Sequence, residues 1–192
     1  MLKYCRSHTA LIAGVITAAI MPVTVLAQTA PSQTFAIPQQ GVTFVTGDTW
    51  QQDGQQMRLY GVQSCLRGTE YTSPAGVRQD CGEASLDVLA ADVRDTQPVC
   101  SPIAQLAAPS PAEMPTILVV CKAHVGDNVL DLGTVLITQG YAFASFNNSA
   151  RPVYMPYLVA ELAAKKTGAG LWASPDLPHP NAILLKAVSS SK

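Results

Sequence analysis

Four thiols and one carboxylate–guanidinium pair are the side chains whose types and spacing suggest chemistry in this sequence. Cys65, Cys81, Cys100 and Cys121 form an even set, which in an oxidising compartment reads as two disulfides with three connectivities open. Zinc is the other chemistry available to four thiolates, although no Cys-x-x-Cys pair occurs and only His124 and His179 follow position 27 as imidazoles. Asp48 and Arg58 lie on either side of Asp53-Gly54, a strong hairpin signal that puts them on adjoining strands or just off their ends. There they are either what is left of a site or an ion pair with no further role. Trp50 closely follows Asp48, and a cleft built from Trp50, Tyr60 and Gln63 would suit a sugar or a peptide. Glu83 reads as a helix-capping residue and His124 as a solvated histidine beside the turn Gly126-Asp127-Asn128. Lys165 and Lys166 suit the end of a helix dipole.

The elements that position these groups are short. Residues 41–46 and 56–62 are β-prone runs around the Asp53-Gly54 turn. Asp80 with Glu83 opens a helix that carries Ala84, Leu86, Val88, Leu89 and Val93 on a helical pattern. Strand signals return over 97–105 and 116–125, joined by a proline-rich loop. Asp131 caps a short helix with Leu132, Val135 and Leu136, which Gly140 ends, and 141–146 is again β-prone. A last helix is expected over about 153–167, with Gly168 as its stop and a loop-like tail after Trp172. The arrangement is α+β, without internal repeats.

Lys3 and Arg6, an apolar run over 9–25 and small residues through Ala27 predict a signal peptide over 1–27. Pro22 interrupts that run, which disfavours a spanning helix, and nothing after it is apolar for long enough to cross a bilayer. Residues 28–40 read as a flexible leader, 41–175 as one domain and 176–192 as a tail. Removing Lys3 and Arg6 with the signal takes the formal charge from −1 to −3. No basic face of the kind that holds long nucleic acid shows in the composition. The expected address is periplasmic or secreted.

Several motifs in this order resemble one family. They are Gly47-Asp48-Thr49 after a strand, Met57-Arg58-Leu59-Tyr60-Gly61-Val62, Cys81-Gly82-Glu83-Ala84-Ser85 opening a helix, Leu130-Asp131-Leu132-Gly133 leading to Gln139-Gly140-Tyr141-Ala142, and Tyr157 with Gly170-Leu171-Trp172. Together they resemble the staphylococcal-nuclease-like (thermonuclease) domain over most of 41–172. The resemblance implies a five-stranded OB-type β-barrel with about three helices. It also implies a phosphodiester site of Ca²⁺-binding aspartates, a water-activating glutamate and two phosphate-binding arginines.

This sequence departs from that pattern at most of those positions. Asp48 matches a metal-binding aspartate and Arg58 the first arginine, while Thr46 stands where a second carboxylate belongs. The next metal ligand is Gln63, the base position is Leu66 and the second arginine position is Thr116. One carboxylate and one amide make a poor Ca²⁺ site, and Leu66 moves no proton. Glu70, four residues further on, is the candidate substitute base. Trp172 is expected to pack on the barrel. The same layout predicts Cys65 with Cys81, fixing the former catalytic loop, and Cys100 with Cys121, joining neighbouring strands. Three functions stay open: a non-catalytic binding or structural module without cofactor, for a protein or polysaccharide partner; a Ca²⁺-dependent nuclease with a displaced site; and, by family analogy, a role in exopolysaccharide of the succinoglycan type.

Overall fold

The computed structural model describes residues 33–108, 110 and 113–190. The expected signal peptide and the first residues of the leader lie outside them. These described residues form one unit.

The chain opens with β1 (Phe35–Ala36), then a meander of β2 (Thr43–Thr46), β3 (Thr49–Gln52) and β4 (Gln55–Leu59). Asp53 and Gly54 both take positive φ, 51° and 71°, at the β3–β4 turn. That is the mirror-image turn their dipeptide predicts, and it pairs Gln52 with Gln55. After β5 (Val62–Ser64) come a small hairpin, β6 (Glu70–Thr72) and β7 (Arg78–Asp80), and helix α1 (Cys81–Thr96). Two long strands follow, β8 (Val99–Leu106) and β9 (Thr116–Val125), then β10 (Asn128–Asp131) and α2 (Leu132–Thr138). The chain closes with β11 (Ala142–Ala144), α3 (Met155–Thr167), a 3-10 turn (Gly170–Ala173) and α4 (Pro180–Ser190). The fold is thus mixed α+β.

β9 organises the sheet. The order is β1-β8-β9-β4-β3-β2, with β10 also on β9. Antiparallel β8 flanks β9, β4 pairs in parallel with its first half, and antiparallel β10 pairs with its second. Val119, Cys121 and Ala123 alternate into the core and are fully buried, as the period of a strand requires. They meet Trp50, Leu59, Leu89 and Val93, the last two from α1, and Leu132 and Leu136 from α2. β1 covers only Val99 and Cys100 of β8, and the β8–β9 register shifts between Pro102 and Ala104.

Both disulfides form as the sequence predicts. Cys100 faces Cys121 in the β8–β9 register and is bonded to it, and Cys65 is bonded to Cys81 at the first residue of α1. All four cysteines among the described residues are thus paired as disulfides.

Two ends differ from expectation. The leader joins the fold before Gly41: Phe35 and Ala36 pair with β8 and Ile37 is buried. The tail is not loop-like throughout, because α4 makes a fourth helix among the described residues.

Candidate functional site

Asp48 sits in the tight link between β2 and β3, and α1 presses directly on that link. A Cβ on Gly47 would stand 2.6 Å from the Ser85 Cβ and 2.7 Å from the Ser85 carbonyl carbon, so only glycine fits there. Ser85 then ties three segments together, since its Oγ donates to the Tyr141 carbonyl at 2.7 Å and accepts the Cys65 amide at 3.3 Å. Ser85 closes one of the sequence motifs, but its role as a tie follows from contacts between distant segments.

The Asp48 carboxylate is 2% exposed and surrounded by donors. Its Oδ1 accepts from the hydroxyls of Thr46 at 2.5 Å, Thr49 at 3.0 Å and Ser64 at 3.3 Å. Its Oδ2 accepts from Arg58 Nε at 3.2 Å and the Ser64 amide at 3.4 Å, and Arg58 Nη2 lies 3.1 Å away. Six donors on two oxygens use every lone pair that a carboxylate has to offer. Gln63 belongs to the same network: its Oε1 accepts from Arg58 Nη2 at 3.0 Å and its Nε2 donates to the Ser64 carbonyl at 3.0 Å. Thr46, which replaces a carboxylate of the family pattern, is here a donor to Asp48. Ser64 is another member that the sequence did not flag.

A cleft of about 350 Å³ opens over this network, lined among others by Thr46, Arg58, Gln63, Leu66 and, from α4, Leu184. Asp48 is the only carboxylate among the described lining residues. Leu66, which the resemblance sets at the position of a base, stands in the cleft wall. Thr116 is not in the wall; it starts β9 beside Gln56, whose Nε2 donates to its hydroxyl at 2.8 Å. Glu70 is not in the wall either, and its carboxylate pairs with Arg78 across the β6–β7 hairpin. α4 is held over this side of the molecule by Asn181, whose Nδ2 donates to the Ala144 carbonyl at 2.8 Å. His179 anchors the same end, with Nε2 3.0 Å from the buried Glu161 carboxylate and its ring against Phe143 and Trp172.

Several other candidates resolve as ordinary structure. Trp50 faces the core, is fully buried, and donates from Nε1 to Gln52 Oε1 at 2.9 Å, so it cannot meet a ligand as expected. The alternation of β3 decides this, because Trp50 and Thr49 point to opposite faces. Trp172 packs edge-on against Phe143, with the Lys165 ammonium 5.1 Å over its ring. His124 is exposed on β9. Glu83 lies in the first turn of α1, but its carboxylate goes to Arg67 at 2.5 Å rather than back to the cap.

Asp80 caps α1 as expected and also fixes the loop that carries Leu66, Arg67 and Gly68. Its oxygens accept from the Gly82, Glu83 and Gly68 amides at 2.7, 3.1 and 2.6 Å. Desolvation works against its charge, but those amides and the Arg67 guanidinium outweigh it and hold the carboxyl below its usual range. A depressed folded value means the contribution is complete above the unfolded value and fades as pH falls through the folded one. Asp80→Ala therefore lowers stability by about 1 kcal/mol at neutral pH. The deficit shrinks as urea titrations are moved down to about pH 2. A deficit independent of pH would show that the charge contributes nothing.

A Ca²⁺ ion wants six to eight oxygens, several of them charged. The residues here do not fit it, since the one carboxylate is saturated by protein donors and the Gln63 oxygen is taken by Arg58. Among the described residues no group of three or more His, Cys, Asp or Glu side chains converges as metal ligands. Compared with known proteins, the chain matches no family model and no curated protein.

Proposed function

We propose that this protein is an exported staphylococcal-nuclease-like domain that has exchanged catalysis for binding or structural work outside the cytoplasm. The strand order β2-β3-β4-β9-β8, with β4 and β9 parallel, supports reading the curled sheet as the five-stranded OB-type barrel of that family. Two disulfides suit a chain that matures in an oxidising compartment, periplasmic or secreted. No helix among the described residues is long and apolar enough to cross a membrane.

The observation that carries the reading is the state of Asp48. In a metal-dependent hydrolase this carboxylate must leave lone pairs for the ion, and here all are taken by Arg58, Thr46, Thr49 and Ser64. Arg58 is in turn neutralised by it and gives its Nε and Nη2 to Asp48 and Gln63, which weakens its guanidinium as a bidentate phosphate clamp. With Leu66 as the only side chain at the base position, general-base catalysis worth roughly 10² to 10⁴ in rate has no agent.

The test is incubation of the purified chain with single-stranded DNA and with RNA at millimolar Ca²⁺, beside Asp48→Asn. No turnover is expected from either protein, and no Ca²⁺-dependent rise in melting temperature. Cleavage by the wild type that disappears in Asp48→Asn would replace this reading with a calcium nuclease whose base lies elsewhere.

A further inference from the structure

A second concavity, of about 300 Å³, lies away from Asp48, between the outer surface of β8–β9 and the start of α3. Tyr60, Tyr154 and Tyr157 line it with Ile103 and Val120, and its one charged lining residue is Asp131. Tyr154 is 45% exposed and Ile103 48%, so apolar surface stands open to water here. Tyr154 meets Tyr157 edge-on at 4.8 Å.

Asp131 divides its two oxygens between tasks. Oδ1 accepts the Thr134 amide at 2.7 Å, the Thr134 hydroxyl at 3.0 Å and the Tyr157 hydroxyl at 2.7 Å, which caps α2 and fixes the ring. No donor among the described residues reaches Oδ2. Lys122 stands opposite Asp131 in the β9–β10 register, yet forms no ion pair with it among the described residues.

A carboxylate oxygen that no donor among the described residues reaches, in a concavity lined by phenol rings and aliphatic side chains, complements a cation on an apolar stem. The ammonium or guanidinium is drawn by the charge and by the ring faces together, while its methylenes cover Ile103 and Val120. With Tyr157 only 4% exposed, a neutral sugar could stack on Tyr60 and Tyr154 but carries no charge to answer Asp131, and an acidic polysaccharide would meet Asp131 as a like charge. We propose that this groove receives a lysine or arginine side chain of a partner polypeptide. The proposal rests on the reading of the protein as a binding module and names its partner's chemistry. A formal charge of −3 after residue 27 favours the same sign of partner.

The experiment follows amide shifts of the isotope-labelled protein as it is titrated with a capped alanine peptide carrying one central lysine. The acetyl-lysine and glutamate versions of that peptide, and a neutral and an acidic oligosaccharide, are run beside it. Saturable shifts at Ile103, Thr134 and Tyr154 are expected with the lysine peptide alone. Asp131→Asn keeps an acceptor for the α2 cap while turning the free oxygen into an amide nitrogen, and weakens binding roughly tenfold. Tyr154→Ala weakens it as well, and Tyr154→Phe restores it. Equal binding of the acetyl-lysine peptide, a response to an oligosaccharide in its place, or no response to lysine would each overturn the proposal. The nuclease assay remains a separate readout: a silent enzyme that ignores lysine refutes only this groove, while DNA cleavage refutes the binding-module reading whatever the groove does.

Discussion

Asp48→Ala destabilises the protein by about 2–4 kcal/mol, read as a shift in the urea midpoint at neutral pH with an unchanged slope. The substitution strands the Thr46, Thr49 and Ser64 donors and leaves Arg58 without its counter-charge in a half-buried position. Arg58 is 36% exposed and can regain some water, which keeps the expected loss below that of a fully buried pair. Asp48→Asn retains an acceptor of the same shape and loses less. A carboxylate kept for metal chemistry behaves in the opposite way, since active-site groups are held at a cost to stability and their removal is often neutral or favourable. A loss under about 0.5 kcal/mol would mean that the network is dispensable, and would reopen Asp48 as a ligand.

Replacing both Cys65 and Cys81 by alanine costs about 3 kcal/mol, the chain-entropy value for a closure of 16 residues. The effect is concentrated where this bridge acts. Leu66, Arg67 and Gly68 are tied to the start of α1 by the disulfide, by the Asp80 bond to the Gly68 amide and by the Arg67–Glu83 pair. Without the bridge, amide exchange is expected to rise first over 65–69, while β8 and β9, still joined through Cys100 and Cys121, keep their protection. A double variant within about 1 kcal/mol of the parent would show that hydrogen bonds alone fix this loop.

Local chemistry made much of this legible from the sequence. Asp53-Gly54 specifies a turn with two positive φ angles, Asp80 and Asp131 supply cap acceptors, and Gly140 ends α2, so each of these features is set within a few residues. The cysteine pairs followed once the strands and α1 were in place. What escaped depends on distant segments. Ile37 enters the core from a Gln- and Pro-rich stretch whose composition argues for disorder. α4 begins at Pro180, a residue suited to the first helical turn, within the stretch after Trp172 that reads as loop-like.

The candidate site divides along the same line. Asp48 and Arg58 were legible as a pair because a hairpin brings them together, and the wider network that holds both was not, because Ser64 and Gln63 arrive from β5. Trp50 shows the limit most plainly. Nearness in sequence to Asp48 suggested a ligand-facing ring, whereas strand alternation turned it inward.

The short reach of β1 also bears on how copies of this protein behave at high concentration. Past Cys100 the outer border of β8 has no described neighbour, and an unguarded strand border is a template for stacking one molecule on the next. Pro102 removes one main-chain donor from that border and the offset between Pro102 and Ala104 breaks its regular spacing. The same stretch that exposes Ile103 and Leu106 is thereby expected to be a poor seed for fibrils.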